Sequence, residues 1–160
     1  MTAVPSRATL RSKFTARDLC WAWLTATLFS GLPSTLFFMA TGGDLWPPIR
    51  AVGTMIVSGE SSPWSIFLAA MLVHGGVSLF WTLVVTSVIP ANHVPAYTVA
   101  AAAAIAVLDL RVIAPLLFPE VARLSFWPQF ADHLAWGLLI GVTLHFRRIR
   151  PQSYKRNISR

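Results

Sequence analysis

Four stretches of this chain are too long and too apolar to belong to a water-soluble domain. Residues 19–40 run for 22 positions without a charged side chain. At about 1.5 Å per helical residue, such a run covers a hydrocarbon core of about 30 Å. Residues 64–89 repeat the pattern, 96–118 are interrupted only by Asp109 and Arg111, and 129–147 form the shortest run. The sequence reads as an all-α polytopic membrane protein, with a four-helix transmembrane domain over 18–147 between a basic tail at 1–17 and another at 148–160. Its 55% hydrophobic and 12% charged residues agree with this, the charged share being about half that of a soluble domain.

Turn residues mark the ends of these runs. Ser62-Pro63 reads as an N-cap and first helical position, Pro95 opens the third helix and Pro119 closes it, and Pro128 sits where the fourth helix starts. Trp21, Trp23, Trp46, Trp64 and Trp127 lie near the expected interfaces, where amphipathic rings collect. Pro33 falls inside the first helix, where it removes an N–H and its ring opposes the Phe29 carbonyl, so a kink is expected there. Ser30, Ser34 and Thr35 are at hand to satisfy the freed backbone groups. Trp46-Pro47-Pro48 leads into Ile49 to Ser58, about ten mostly apolar residues ended by Gly59 and too few to span a bilayer. This segment is expected to be a short helix, interfacial or re-entrant, between helices 1 and 2.

Charge sets the expected orientation. The net charge is +7, and ten of the thirteen Lys and Arg residues lie in the two terminal regions, from Arg7 to Arg17 and from Arg147 to Arg160. Basic tails are held in the cytoplasm by the positive-inside rule and attracted there by anionic lipid. They lack the fold and aromatic interleaving of a nucleic-acid module, so the bilayer and no nucleic acid is the expected partner. Residues 19–40 could be mistaken for a signal peptide, but the run is too long and no small-x-small cleavage site follows it. It is read as an anchor. The single cysteine, Cys20, is expected to be an inert packing residue.

An ionised side chain at bilayer depth costs on the order of 2.5–3.5 kcal/mol, so the intramembrane polar residues His74, Asp109, Arg111, Asp132 and His133 form the candidate cluster. Asp109 and Arg111 are two positions apart, about 200° around a helix, and so face opposite sides. By depth, Asp109 is expected to meet His74, and Arg111 to snorkel outward to Asp132 or to interfacial water. His74, Ser78 and Thr82 recur every four residues and make one polar stripe that should face the bundle. On the fourth helix Gly137 and Gly141 form a small-xxx-small packing surface, with Ala96, Ala100 and Ala104 as its expected counterpart on the third. Histidines 133 and 145 lie about 18 Å apart along that helix and cannot ligate one metal.

No metal, cofactor or catalytic residue is expected, since zinc and haem spacings, nucleotide loops and nucleophile motifs are missing from the sequence. The segments Gly31-Leu32-Pro33-Ser34-Thr35 through Gly42-Gly43-Asp44, Val73-His74 through Trp81, Leu108-Asp109-Leu110 and Ala131-Asp132-His133 through Gly137 resemble small uncharacterised bacterial inner-membrane proteins of four-helix type, a family of unknown function. The resemblance covers about residues 31–145. It implies the same architecture in a bacterial membrane and adds no activity. Two functional classes remain open: a structural or accessory component, not an enzyme, that binds a second copy or a membrane-complex partner, and alternatively a small transporter or channel lined by the Asp/His cluster.

Overall fold

The computed structural model describes residues 14–90 and 92–158, with side chains through Arg147, and all regular structure within them is helical. Helix α1 (Ala16–Phe29) starts at Thr15. The Thr15 hydroxyl accepts from the Asp18 backbone N–H, and the Asp18 carboxylate accepts from the Thr15 N–H, so two orphan donors of the first turn are satisfied reciprocally. The helix then breaks at Ser30-Gly31 and resumes as α2 (Leu32–Ala40), with Pro33 in its first turn. The kink expected at Pro33 is thus a full break, because proline is tolerated only where no N–H is needed. The hydroxyls of Ser34 and Thr35 donate to the Gly31 carbonyl at 3.2 and 2.7 Å.

Helix α3 (Trp46–Gly53) is started by the two prolines, with Asp44 Oδ1 accepting from the Trp46 N–H at 2.9 Å. It ends at Gly53 rather than at Gly59, and it lies so close on α4 (Pro63–Val88) that a Cβ on Gly53 would stand 2.7 Å from Ile66 Cγ2. Ser62 caps α4 with its hydroxyl on the Ser65 N–H at 3.2 Å, as expected of the Ser-Pro pair. The third apolar run is α5 (Val94–Leu108), a π turn (Asp109–Ile113) and α6 (Ala114–Leu117). Pro115 would oppose the Arg111 carbonyl in a regular helix. The turn widens by one residue instead, and the Ala114 N–H donates to the Asp109 carbonyl.

After the short α7 (Pro119–Ala122), helix α8 (Phe126–Ile158) runs 33 residues. It starts before residue 129 and stays helical into the segment expected to be a tail. Among the described residues three helical stretches are long and apolar enough to cross a membrane: Ala16–Ala40, Pro63–Val88 and Val94–Leu117. Helix α8 has the length, but Asp132, His133, His145 and Arg147 dilute its apolar character.

Helix α8 is the central element, packed on α5, α1 and α2, while α4 packs on α1 and α3. Small residues make the closest approaches, and Val85, Trp136, Ile140 and Leu144 fill the core around them. Ala22, Ala26, Ala102 and Ala106 are fully buried, whereas Leu72 and Leu116 are 69% and 75% exposed. Small side chains at the closest contacts and many large apolar ones outside are compatible with lipid-immersed helices, since lipid is as apolar as leucine and close backbone approach supplies packing energy. Cys20 is exposed rather than packed.

Gly137 and Gly141 do form the seam between α8 and α5, but against a different face from the one expected. A Cβ at Gly137 would lie 2.5 Å from Ala102 Cβ and 2.6 Å from the Thr98 carbonyl oxygen, and one at Gly141 would lie 2.5 Å from Pro95 Cα. Ala96, Ala100 and Ala104 lie off this seam. Gly137→Leu is expected to destabilise the bundle by about 1–3 kcal/mol through overpacking, whereas Ala100→Leu should change little. Unfolding in detergent checks both, and equal effects would contradict the assigned seam.

Candidate functional site

The polar side chains of the bundle close onto each other and onto backbone, and they connect α1, α4 and α8 at mid-height. Ser78 is the node. Its hydroxyl oxygen accepts from Thr27 Oγ1–H on α1 at 2.9 Å and from Trp136 Nε1–H on α8 at 3.0 Å. Both Ser78 and Trp136 are buried. One turn away, Trp23 Nε1–H donates to the Gly75 carbonyl at 2.9 Å, and His74 Nε2 lies 3.0 Å from the Thr27 carbonyl. A carbonyl only accepts, so His74 carries its proton on Nε2 in this contact. Thr82 is fully buried and donates to the Ser78 carbonyl within α4.

A second group of contacts lies toward the end where α1–α2 terminates and α8 begins. Asp132 Oδ1 accepts from the Ser34 backbone N–H at 2.9 Å. Ser34 is in the first turn of α2, where N–H groups have no partner of their own and the helix dipole favours a negative charge. Asp132 therefore completes the helix that the break at Ser30-Gly31 creates. His133 Nδ1 lies 2.8 Å from the Gln129 carbonyl, and its Nε2 lies 3.4 Å from Asp109 Oδ2.

Those two His133 contacts constrain one proton. The Gln129 carbonyl requires a hydrogen on Nδ1, so an attractive Nε2–Asp109 contact requires a second hydrogen, on Nε2 or on the carboxyl.

The structure regroups the five residues that depth alone would pair differently. Asp109 meets His133 instead of His74, because α5 packs on α8 and barely touches α4. Asp132 meets Ser34 instead of Arg111. Arg111 does reach outward to the start of α8, but its guanidinium lies over the Phe126 ring, 4.2 Å from the centroid, as a cation–π contact. Sequence reasoning does not single out Thr27, Ser34 or Trp136 as site residues, and it takes Trp23 only as an interfacial tryptophan. Trp23 and Thr27 stand four apart on α1, like His74 and Ser78 on α4, and that matching spacing is the signal that could locate two of them. The Ser34 contact depends on the helix break and has no such signal.

At the other end, Arg147 Nε donates to Asp18 Oδ1 at 2.6 Å, joining α8 to the first turn of α1. Among the described residues no three His, Cys, Asp or Glu side chains are grouped to hold a metal ion. No protein-family description matches the chain, and no curated protein or solved structure matches it.

Ser78→Ala strands two donors, and is expected to cost about 1–3 kcal/mol. Trp136→Phe in the same chain removes one of the stranded donors, so the double variant should be more stable than the sum of the single losses. A double-mutant cycle measured by unfolding in detergent checks this, and strict additivity would contradict the node.

Proposed function

We propose that the chain is a bacterial inner-membrane protein of four spans that serves as a structural or accessory component rather than as an enzyme. In this reading α1 with α2, α4, α5 with α6, and α8 cross the bilayer, α3 lies at the outer interface, and both termini are cytoplasmic. The basic terminal segments support that orientation. So does the Arg147–Asp18 ion pair, which puts the start of α1 and the late turns of α8 at one end of the bundle.

One observation carries the accessory reading. Among the described residues no buried side-chain nitrogen or oxygen lacks a hydrogen-bond partner. A water-filled path needs polar groups that face water, whereas here Ser78, Thr82, Thr86 and Thr98 are buried. Their hydroxyls are engaged by backbone carbonyls or by neighbouring helices. Such contacts fix helix register and leave the outer surface, of large apolar side chains, for lipid, a second copy or a membrane partner.

The alternative, a small proton-coupled transporter, is favoured by the Asp109–His133 pair. It brings an imidazole and a carboxyl group together beside a π turn, and π turns are frequent at functional sites. Asp132, at the N-terminus of the broken helix, is its sequence neighbour. Discontinuous helices with ionisable groups at their ends recur in transporters.

Accessibility separates the two. With Cys20→Ser as background, single cysteines replacing His74, Ser78 and Thr82 are expected to resist a membrane-impermeant thiol reagent at the second and third positions. Modification at both would favour the aqueous path. In proteoliposomes under a pH gradient, the accessory reading expects no proton flux above empty vesicles, and flux abolished by Asp109→Asn would establish the transporter.

A further inference from the structure

The loops at the α3 end enclose an open cleft of about 520 Å³, lined by Trp46, Pro47, Arg50, Ala51, Thr54, Gly59 and Glu120. It is separate from the polar contacts inside the bundle. The volume falls in the range of small-ligand sites, which is roughly 300–1,000 Å³. One wall is α3, which Gly53 seats rigidly against Ile66 of α4, and the other is the first turn of α7, which carries Glu120.

The charges of the cleft are arranged for a dipolar guest. Arg50 and Glu120 have opposite charges and line the same space, but they form no ion pair with each other. Glu120 Oε1 accepts from Arg123 Nη1 at 2.6 Å, which leaves its second oxygen open. The Arg50 guanidinium makes one hydrogen bond among the described residues, from Nη2 to the Gly59 carbonyl at 3.3 Å, out of five N–H donors. Gly59 leaves room beside it, since a Cβ there would stand 3.2 Å from Nη2. Trp46, Pro47 and Ala51 supply an apolar wall.

Depth indicates what such a guest is. The exposed Trp64 and Trp127 are at the starts of α4 and α8, at the same end of the bundle as the cleft. Exposed tryptophans of this kind mark the level of lipid headgroups. We infer that the cleft binds a zwitterionic phosphate–ammonium group, with the phosphate on Arg50 and the ammonium on the free oxygen of Glu120, as in an ethanolamine phospholipid headgroup. Arginine suits the phosphate because its planar fork meets two oxygens at once. The choice of a lipid as its source rests on the membrane reading above, whereas the charge arrangement does not.

Native mass spectrometry of the full chain in detergent micelles tests the site with three probes: phosphatidylethanolamine, phosphatidylglycerol and soluble phosphoethanolamine. Phosphatidylethanolamine should be retained in preference to phosphatidylglycerol, which has a phosphate but no ammonium. Arg50→Gln and Glu120→Gln should each weaken that retention about tenfold, the effect of losing one charge-assisted hydrogen bond. Arg17→Gln, in the first turn of α1 at the opposite end of the bundle, should leave it unchanged. Both cleft residues are exposed, so the variants should unfold at the wild-type temperature in lipid-free detergent, and Gly59→Val, which fills the cleft without altering charge, should also reduce retention. Binding of phosphoethanolamine without the lipid would support the site and identify a free solute as its source. Equal retention of the two lipids, or retention unaffected by the Arg50 and Glu120 changes, would overturn the inference.

Discussion

The close approach of α8 and α5 at Gly137 and Gly141 is the most extensive helix contact in the bundle and decides which polar side chains meet across it. With hydrogen in place of a side chain, the α8 backbone comes within van der Waals contact of Thr98, Ala102 and Pro95. In the proposed bilayer no hydrophobic drive brings helices together, so this close approach is the main source of association energy. It also orients the third apolar run. Once α5 lies along α8, Asp109 faces His133, and His74 on α4 must find another partner.

The remaining polar residues are arranged by the cost of leaving a polar group unpaired in an apolar medium. Ser78 accepts two donors from two different helices and so fixes the heights of α1 and α8 relative to α4. Threonines 82, 86 and 98 return their hydroxyls to their own helix at i−4 carbonyls, which satisfies them without a partner helix. A hydroxyl in this environment can either cross to a neighbour or fold back, and its choice depends on what the neighbour offers. Thr27 meets a serine and crosses. Thr82 folds back.

Two prolines give the end near Asp132 its irregular backbone. Pro33 divides the first run in two, and Asp132 closes the new helix start. Pro115 widens the third run into a π turn just where Asp109 reaches toward α8. Both irregularities lie next to carboxylates, and in both cases the altered backbone and the acid are structurally coupled. Asp132 satisfies an N–H that an unbroken helix would have satisfied itself, and the Asp109 carbonyl accepts the i+5 bond of the π turn. The cleft between α3 and α7 stands beyond this region, where Arg50 of α3 and Glu120 of α7 line an open space outside the apolar interior.

How much of this can be read from the chain alone differs from one element to the next. The apolar runs, their proline and serine boundaries, the inward face of Ser78 and Thr82, and the packing role of Gly137 and Gly141 come from local rules: helical rise, four-residue spacing and the cost of charge in lipid. The partners do not. Depth pairs Asp109 with His74, and only the packing of α5 on α8 brings it to His133 instead. The alanines at 96, 100 and 104 look like the natural counterpart of the glycines because alanine is small, but Pro95, Thr98 and Ala102 lie on the face that α8 covers. Likewise the break at Ser30-Gly31, rather than a gentler kink, exposes the Ser34 N–H that Asp132 accepts. Sequence periodicity determines which residues share a face and at what height. Which faces meet is a property of the packed bundle, because it depends on the rotation of each helix about its own axis, and that is settled by contacts between residues far apart in the chain.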